Sequence, residues 1–105
     1  MVDMGSIQAV ADRIAREYDP DRIILFGSYA YGSASASSDV DILVVMSFEG
    51  GNFRQSMDIL NRIAPPFATD LLARKPDDTR RRYELGDPLI REALDKGKVL
   101  YERSH

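Results

Sequence analysis

The chain has no cysteine and no tryptophan, and its single histidine is His105. Disulfide stapling and thiolate zinc sites are therefore excluded, and a bound metal would have to be held by oxygen ligands. Long apolar runs are missing as well. Ile23–Phe26 and Ile42–Met46 are the longest, far short of the ~20 residues that a membrane-spanning helix needs. The first residues include Asp3 and Asp12 and lack the basic start and apolar stretch of a secretory signal, so a cytoplasmic location is expected. Positive charge is not in excess either. Fourteen Lys and Arg against seventeen Asp and Glu leave a net charge of -3, which argues against a protein that lives by non-specific binding to nucleic acid. No direct nucleic-acid contact is expected.

What remains is the composition of an ordinary globular protein. Hydrophobic residues make up 44% and charged residues 30% of 105 residues, enough for a single domain over 1–105 with one core and too little for a second of ordinary size. Ile7, Val10, Ala11, Ile14, Ala15 and Tyr18 recur at helical spacing behind Ser6, a candidate N-cap. Asp19-Pro20-Asp21 breaks that helix, and Arg22–Phe26 reads as a short buried strand ended by Gly27-Ser28. Ser28–Gly32 suits one helical turn, and the serines and alanines of 33–38 read as a loop.

A second strand is expected over Asp39–Met46, with Val40, Ile42 and Val44 on one face and Asp39, Asp41, Leu43 and Val45 on the other. Phe53, Met57, Leu60 and Ile63 or Ala64 predict the apolar stripe of a second long helix, stopped by Pro65-Pro66. Phe67–Leu72 reads as a third strand carrying Asp70, and a short helix is expected near Thr79–Leu85. Asp87 caps a last helix that has Pro88 at its first position and the stripe Leu89, Ile90, Ala93 and Leu94, closed by Gly97. Val99–Tyr101 is a candidate final strand. Interleaved helices and strands without internal repeats predict an α/β or α+β fold, a small mixed β-sheet flanked by helices.

Asp39 and Asp41 carry the first chemical signal. Alternate strand residues project from one face about 6.6 Å apart, and two carboxylates held there repel each other unless cations lie between them. Two Mg²⁺ ions, or Mn²⁺, suit that need, because such a pair about 4 Å apart stabilises both the attacking and the leaving oxygen of an in-line phosphoryl displacement. Asp70, flanked by Phe67, Leu71 and Leu72, would complete a three-carboxylate site and accept a proton from an attacking hydroxyl, provided its strand lies beside the first pair. Gly27-Ser28, between a strand and a helical turn, aims backbone N–H groups and a hydroxyl at phosphate oxygens. The only local basic cluster, Arg80–Arg82 with Arg74 and Lys75 nearby, has a plain reading as a solvated helix face balanced by Asp77, Asp78 and Glu84, and a functional one as a contact for ATP phosphates, an acidic patch on a partner, or RNA held by that partner.

Gly27-Ser28-Tyr29-Ala30-Tyr31-Gly32, followed by Ser38-Asp39-Val40-Asp41-Ile42-Leu43-Val44, resembles the signature of the minimal nucleotidyltransferases of the polymerase β superfamily, the antitoxin partners of HEPN-domain toxins in two-gene modules. The resemblance extends over nearly the whole chain, including Asp70 and the closing Gly97–Glu102. It implies a polymerase β-like fold. It further implies that Gly27 and Ser28 form the nucleotide-binding turn, that Asp39 and Asp41 are metal ligands, and that Asp70 is the third catalytic and metal-binding carboxylate. The implied activity is Mg²⁺-dependent transfer of AMP from ATP to a tyrosine of the HEPN toxin, within a hetero-oligomer, silencing its ribonuclease. One position departs from the pattern, since the family usually has Arg where this chain has Tyr31, and a phenol does not replace a forked cation. Two alternatives stay open: an antitoxin that acts by contact alone, and a small-molecule nucleotidyltransferase subunit whose pocket a partner completes.

Overall fold

The computed structural model describes residues 1–104. Its elements are α1 (Met4–Tyr18), β1 (Arg22–Phe26), α2 (Ser28–Tyr31), β2 (Val40–Val45), α3 (Asn52–Ile63), β3 (Thr69–Arg74), α4 (Pro76–Glu84), α5 (Pro88–Lys96) and β4 (Lys98–Glu102). The strands form one mixed sheet in the order β3-β2-β1-β4. β1 runs antiparallel to both β2 and β4, while β2 and β3 are parallel and joined through α3, as a crossover between parallel strands requires. The result is the expected small mixed sheet, four-stranded and flanked by helices.

Strand alternation divides the core in two. Val40, Ile42 and Val44 join Ile23 and Leu25 beneath α1 and α3, where Ile7, Ile14, Ile59 and Ile63 are buried. Leu43 and Val45 face the other way with Ile24 and Phe26 and pack on Ile90 and Ala93 of α5. The face assignment of β2 is therefore the expected one. Asp41, two residues before Leu43, lies on the α5 side of the sheet.

Several local expectations are corrected. The N-cap of α1 is Asp3 and not Ser6, because the Asp3 carboxylate accepts the Ser6 N–H at 2.8 Å and the helix begins a turn earlier. α3 buries Ser56, Ile59 and Ile63, whereas Phe53 and Met57 of the expected stripe are 79% and 37% exposed. β3 starts at Thr69 and not Phe67, since the chain is still bending after Pro65-Pro66 and pairing with β2 opens at Val40 opposite Thr69. α4 starts at Pro76, before the expected Thr79, for the ring of Pro76 sets the first helical residue. At α5 the expectation holds: Asp87 accepts from the N–H groups of Leu89 and Ile90, and Gly97 ends the helix. Gly97 admits no side chain, as a Cβ there would collide with the Ala93 carbonyl and Ile24.

Candidate active site

The two strand-borne aspartates meet because of register. Asp41 is the Cα partner of Asp70 across the parallel β2-β3 pair, so the two side chains leave the same face about 4.8 Å apart in the strand-to-strand direction. Asp39 precedes β2 by one residue and is exposed, as is Asp70, while Asp41 is half-buried. Asp41 is also the partner of Phe26, the last residue of β1, which is followed directly by Gly27. Gly27 has φ 72° and a built Cβ there would collide with Asp41 Oδ2. Only glycine therefore fits this turn, and it brings the Gly27-Ser28 backbone against the Asp41 carboxylate.

Ser28 opens α2, a single turn in which Gly27 O accepts from the N–H groups of Ala30 and Tyr31 and Ser28 O from Ser33. Its hydroxyl makes no hydrogen bond among the described residues and stays available. The structure thus brings Gly27, Ser28, Asp41 and Asp70 together, with Asp39 beside them.

Electrostatics in this corner is repulsive. No ion pair among the described residues involves Asp39, Asp41 or Asp70. Burial, followed by the charges of Asp70, Asp39 and Glu92, raises the Asp41 carboxyl above the ordinary aspartate value. Glu92, from α5, is a fourth carboxylate that sequence reasoning missed, because nothing in the α5 pattern says that this residue faces β2. It also lies by Tyr31, whose phenol is raised by desolvation and then by the charges of Glu92 and Asp41. An unbalanced carboxylate group of this kind suits hard cations that take oxygen ligands. Among the described residues no three His, Cys, Asp or Glu side chains close into a ready metal-holding cluster, so the trio lines an open face.

A match to the family described as Polymerase beta, Nucleotidyltransferase extends over residues 8–105. The chain belongs to this nucleotidyltransferase family. A relative in Methanocaldococcus jannaschii, named as a putative protein adenylyltransferase, is 30% identical over 80 residues, covering 76% of this chain and 77% of that protein. Among solved structures, a putative nucleotidyltransferase from Sulfolobus solfataricus superposes with a TM-score of 0.66 at 18% identity, over 94% of this chain and 79% of that one. A toxin–antitoxin structure with AMP-PNP gives a TM-score of 0.58 at 20% identity, over 92% of this chain and 74% of that one. A mutant of the toxin–antitoxin MntA-HpeT gives 0.56 at 18% identity, with the same coverages. These likenesses establish the fold.

The remaining charged features are ordinary. In the basic cluster, Arg80 pairs with Asp77 and Arg82 with Asp78 and Asp87, at 3.3–3.5 Å and largely in solvent, where such pairs contribute little. No helix among the described residues is long and apolar enough to cross a membrane.

Proposed function

We propose that this nucleotidyltransferase moves AMP from ATP to a tyrosine hydroxyl of a partner protein, the HEPN-domain toxin of its module, and so silences the toxin's ribonuclease. The observation that carries the reading is the meeting of the Gly27-Ser28 turn with Asp41, with Asp70 one strand across. The relative named as a protein adenylyltransferase and the likeness to toxin–antitoxin structures support the choice of acceptor.

In this reading the N–H groups of the turn and the Ser28 hydroxyl hold the triphosphate. Asp39, Asp41 and Asp70 would hold Mg²⁺, which supplies charge neutralisation at the triphosphate when bound. The tyrosine oxygen attacks the α-phosphorus, a new O–P bond forms as the bond to the β-phosphate oxygen breaks, and pyrophosphate leaves. Asp70 takes the phenolic proton. It is suited to this because it is exposed, at the open side of the sheet, whereas Asp41 is wedged against Gly27.

Tyr31 supports a second reading, a contact-only antitoxin, because it stands 42% exposed where a fixed cation would otherwise face the triphosphate. One substitution separates the two. Because Asp39 and Asp41 remain to hold the ion, Asp70→Asn should keep most of the thermal shift produced by Mg²⁺ and ATP but cut transfer to the toxin by at least ~100-fold, and cells expressing the toxin should lose protection although the complex still forms. The double change Asp39→Asn and Asp41→Asn should remove the thermal shift itself. Full protection by Asp70→Asn with an unmodified toxin would overturn the enzymatic reading.

A further inference from the structure

β3 is an edge strand, and a groove of about 350 Å³ runs between it and α3. Phe53 and Met57, one turn apart on α3, line this groove while 79% and 37% exposed. Asp70 and Arg74 line it from β3. The groove is therefore continuous with the candidate active site through Asp70. Neither charge is matched: Asp70 has no ion-pair partner among the described residues, and Arg74 donates only to the carbonyl of Ala73, at 2.9 Å.

The strand edge is itself open at this end. Val40 N–H donates to Ala68 O and Met46 N–H to Arg74 O, so alternation along the parallel ladder turns the backbone groups of Thr69, Leu71 and Ala73 away from β2. The Ala73 N–H is taken by Ser56 Oγ at 2.9 Å. Those of Thr69 and Leu71 find no partner among the described residues. An apolar wall beside unpaired edge N–H and C=O groups is what an extended peptide needs in order to add as a strand.

Resting on the adenylyl-transfer reading above, we infer that this groove seats an extended segment of the protein acceptor, added along β3 as a further strand. Side chains opposite Asp70 and Arg74 leave the same face, about 13 Å apart along the strand. The residue opposite Asp70 is the acceptor tyrosine, and the residue four positions away, opposite Arg74, is acidic. The two residues at odd positions between them turn toward α3 and are apolar, covering Phe53 and Met57. The bound tyrosine then presents its hydroxyl to Asp70, and the bond changes are those given above.

Synthetic peptides test this without knowledge of the partner. Peptides with Tyr and Glu four positions apart, in either order and with Leu at the two odd positions between, are compared with peptides carrying Lys for Glu or Ala for Leu, using α-labelled ATP and Mg²⁺. The Glu peptide should be labelled with a kcat/KM about ten-fold above the Lys peptide, the yield of one charge-assisted hydrogen bond. Arg74→Glu should reverse that preference. Phe53→Asp with Met57→Asp, at exposed positions that leave the core intact, should cut labelling of every peptide about ten-fold or more while the thermal shift with Mg²⁺ and ATP is unchanged. Equal labelling of Glu and Lys peptides, or full labelling by the Phe53→Asp, Met57→Asp chain, overturns the inference. So does a chain that labels no peptide. In that last case, a retained thermal shift and retained transfer to the whole toxin leave the adenylyl-transfer reading standing, and loss of both brings it down as well.

Discussion

Asp41 sits where three requirements compete. It must lie within an apolar strand, face Asp70, and lie against Gly27, so its charge is partly desolvated and opposed by Asp70, Asp39 and Glu92. The folded-state pKa is raised above the unfolded value of 3.8, which means that the fold disfavours the ionised form. The penalty is absent below the unfolded value, grows as pH rises from there toward the folded one, and is complete above it. Asp41→Asn should therefore raise Tm at pH 7, with the gain shrinking to nothing on acidification below pH 3.8, and identical melting of the two proteins at pH 7 would contradict this account. Gly27→Ala should act in the opposite direction. It combines a positive φ with a collision, at a cost of roughly 1–3 kcal/mol in denaturant titration, and should also abolish stabilisation by ATP. Gly27, Ser28, Asp39, Asp41 and Asp70 were singled out beforehand from their types, their spacing and the family resemblance, although the placing of Asp70 beside Asp41 depended on strand register. Glu92 was not, because its place depends on how α5 crosses the sheet.

At the scale of elements, α3 shows how periodicity misleads. Phe53, Met57 and Leu60 form a helical stripe, and so do Ser56, Ile59 and Ile63, offset by about 90° around the axis. The second stripe is the buried one. A serine reads as solvent-facing in sequence, yet Ser56 Oγ is only 2.7 Å from Asn52 O, to which it donates, and accepts the Ala73 N–H. The hydroxyl thereby anchors α3 to the edge strand. Ser56→Ala should cost about 1–3 kcal/mol, because it leaves the buried Ala73 N–H without a partner. Phe53→Ala should change stability by no more than about 0.5 kcal/mol, as for other exposed positions. Chemical denaturation of the two variants checks both, and a larger loss for Phe53→Ala would mean that the first stripe is the structural one. The ends of elements followed the same logic: Asp87 and Pro88 announced α5, whereas the start of β3 depended on its pairing with β2.

In the whole molecule, one sheet separates two apolar layers, and β2 serves both. Leu43 is fully buried in the α5 layer, so Leu43→Ala should destabilise by about 2–5 kcal/mol, and loss of helix signal and of tyrosine fluorescence should coincide in one transition. A smaller loss, or two separate transitions, would show that the α5 layer unfolds by itself. With no cysteine in the chain, reducing agents should leave the transition where it is. By itself the sequence determined most of the local structure: the α1 periodicity, the alternation of β2, the cap of α5, and a carboxylate and glycine pattern specific enough to point to nucleotidyl transfer. These are short-range properties, decided by dihedral preference and by which side of an element is apolar. Only the tertiary structure decided that β3 lies parallel beside β2 in the register that sets Asp70 against Asp41. It also decided that Glu92 joins them and that Phe53 and Met57 stay uncovered. Strand order and helix docking are settled by burial summed over the whole sheet, a quantity that no single stretch of residues contains.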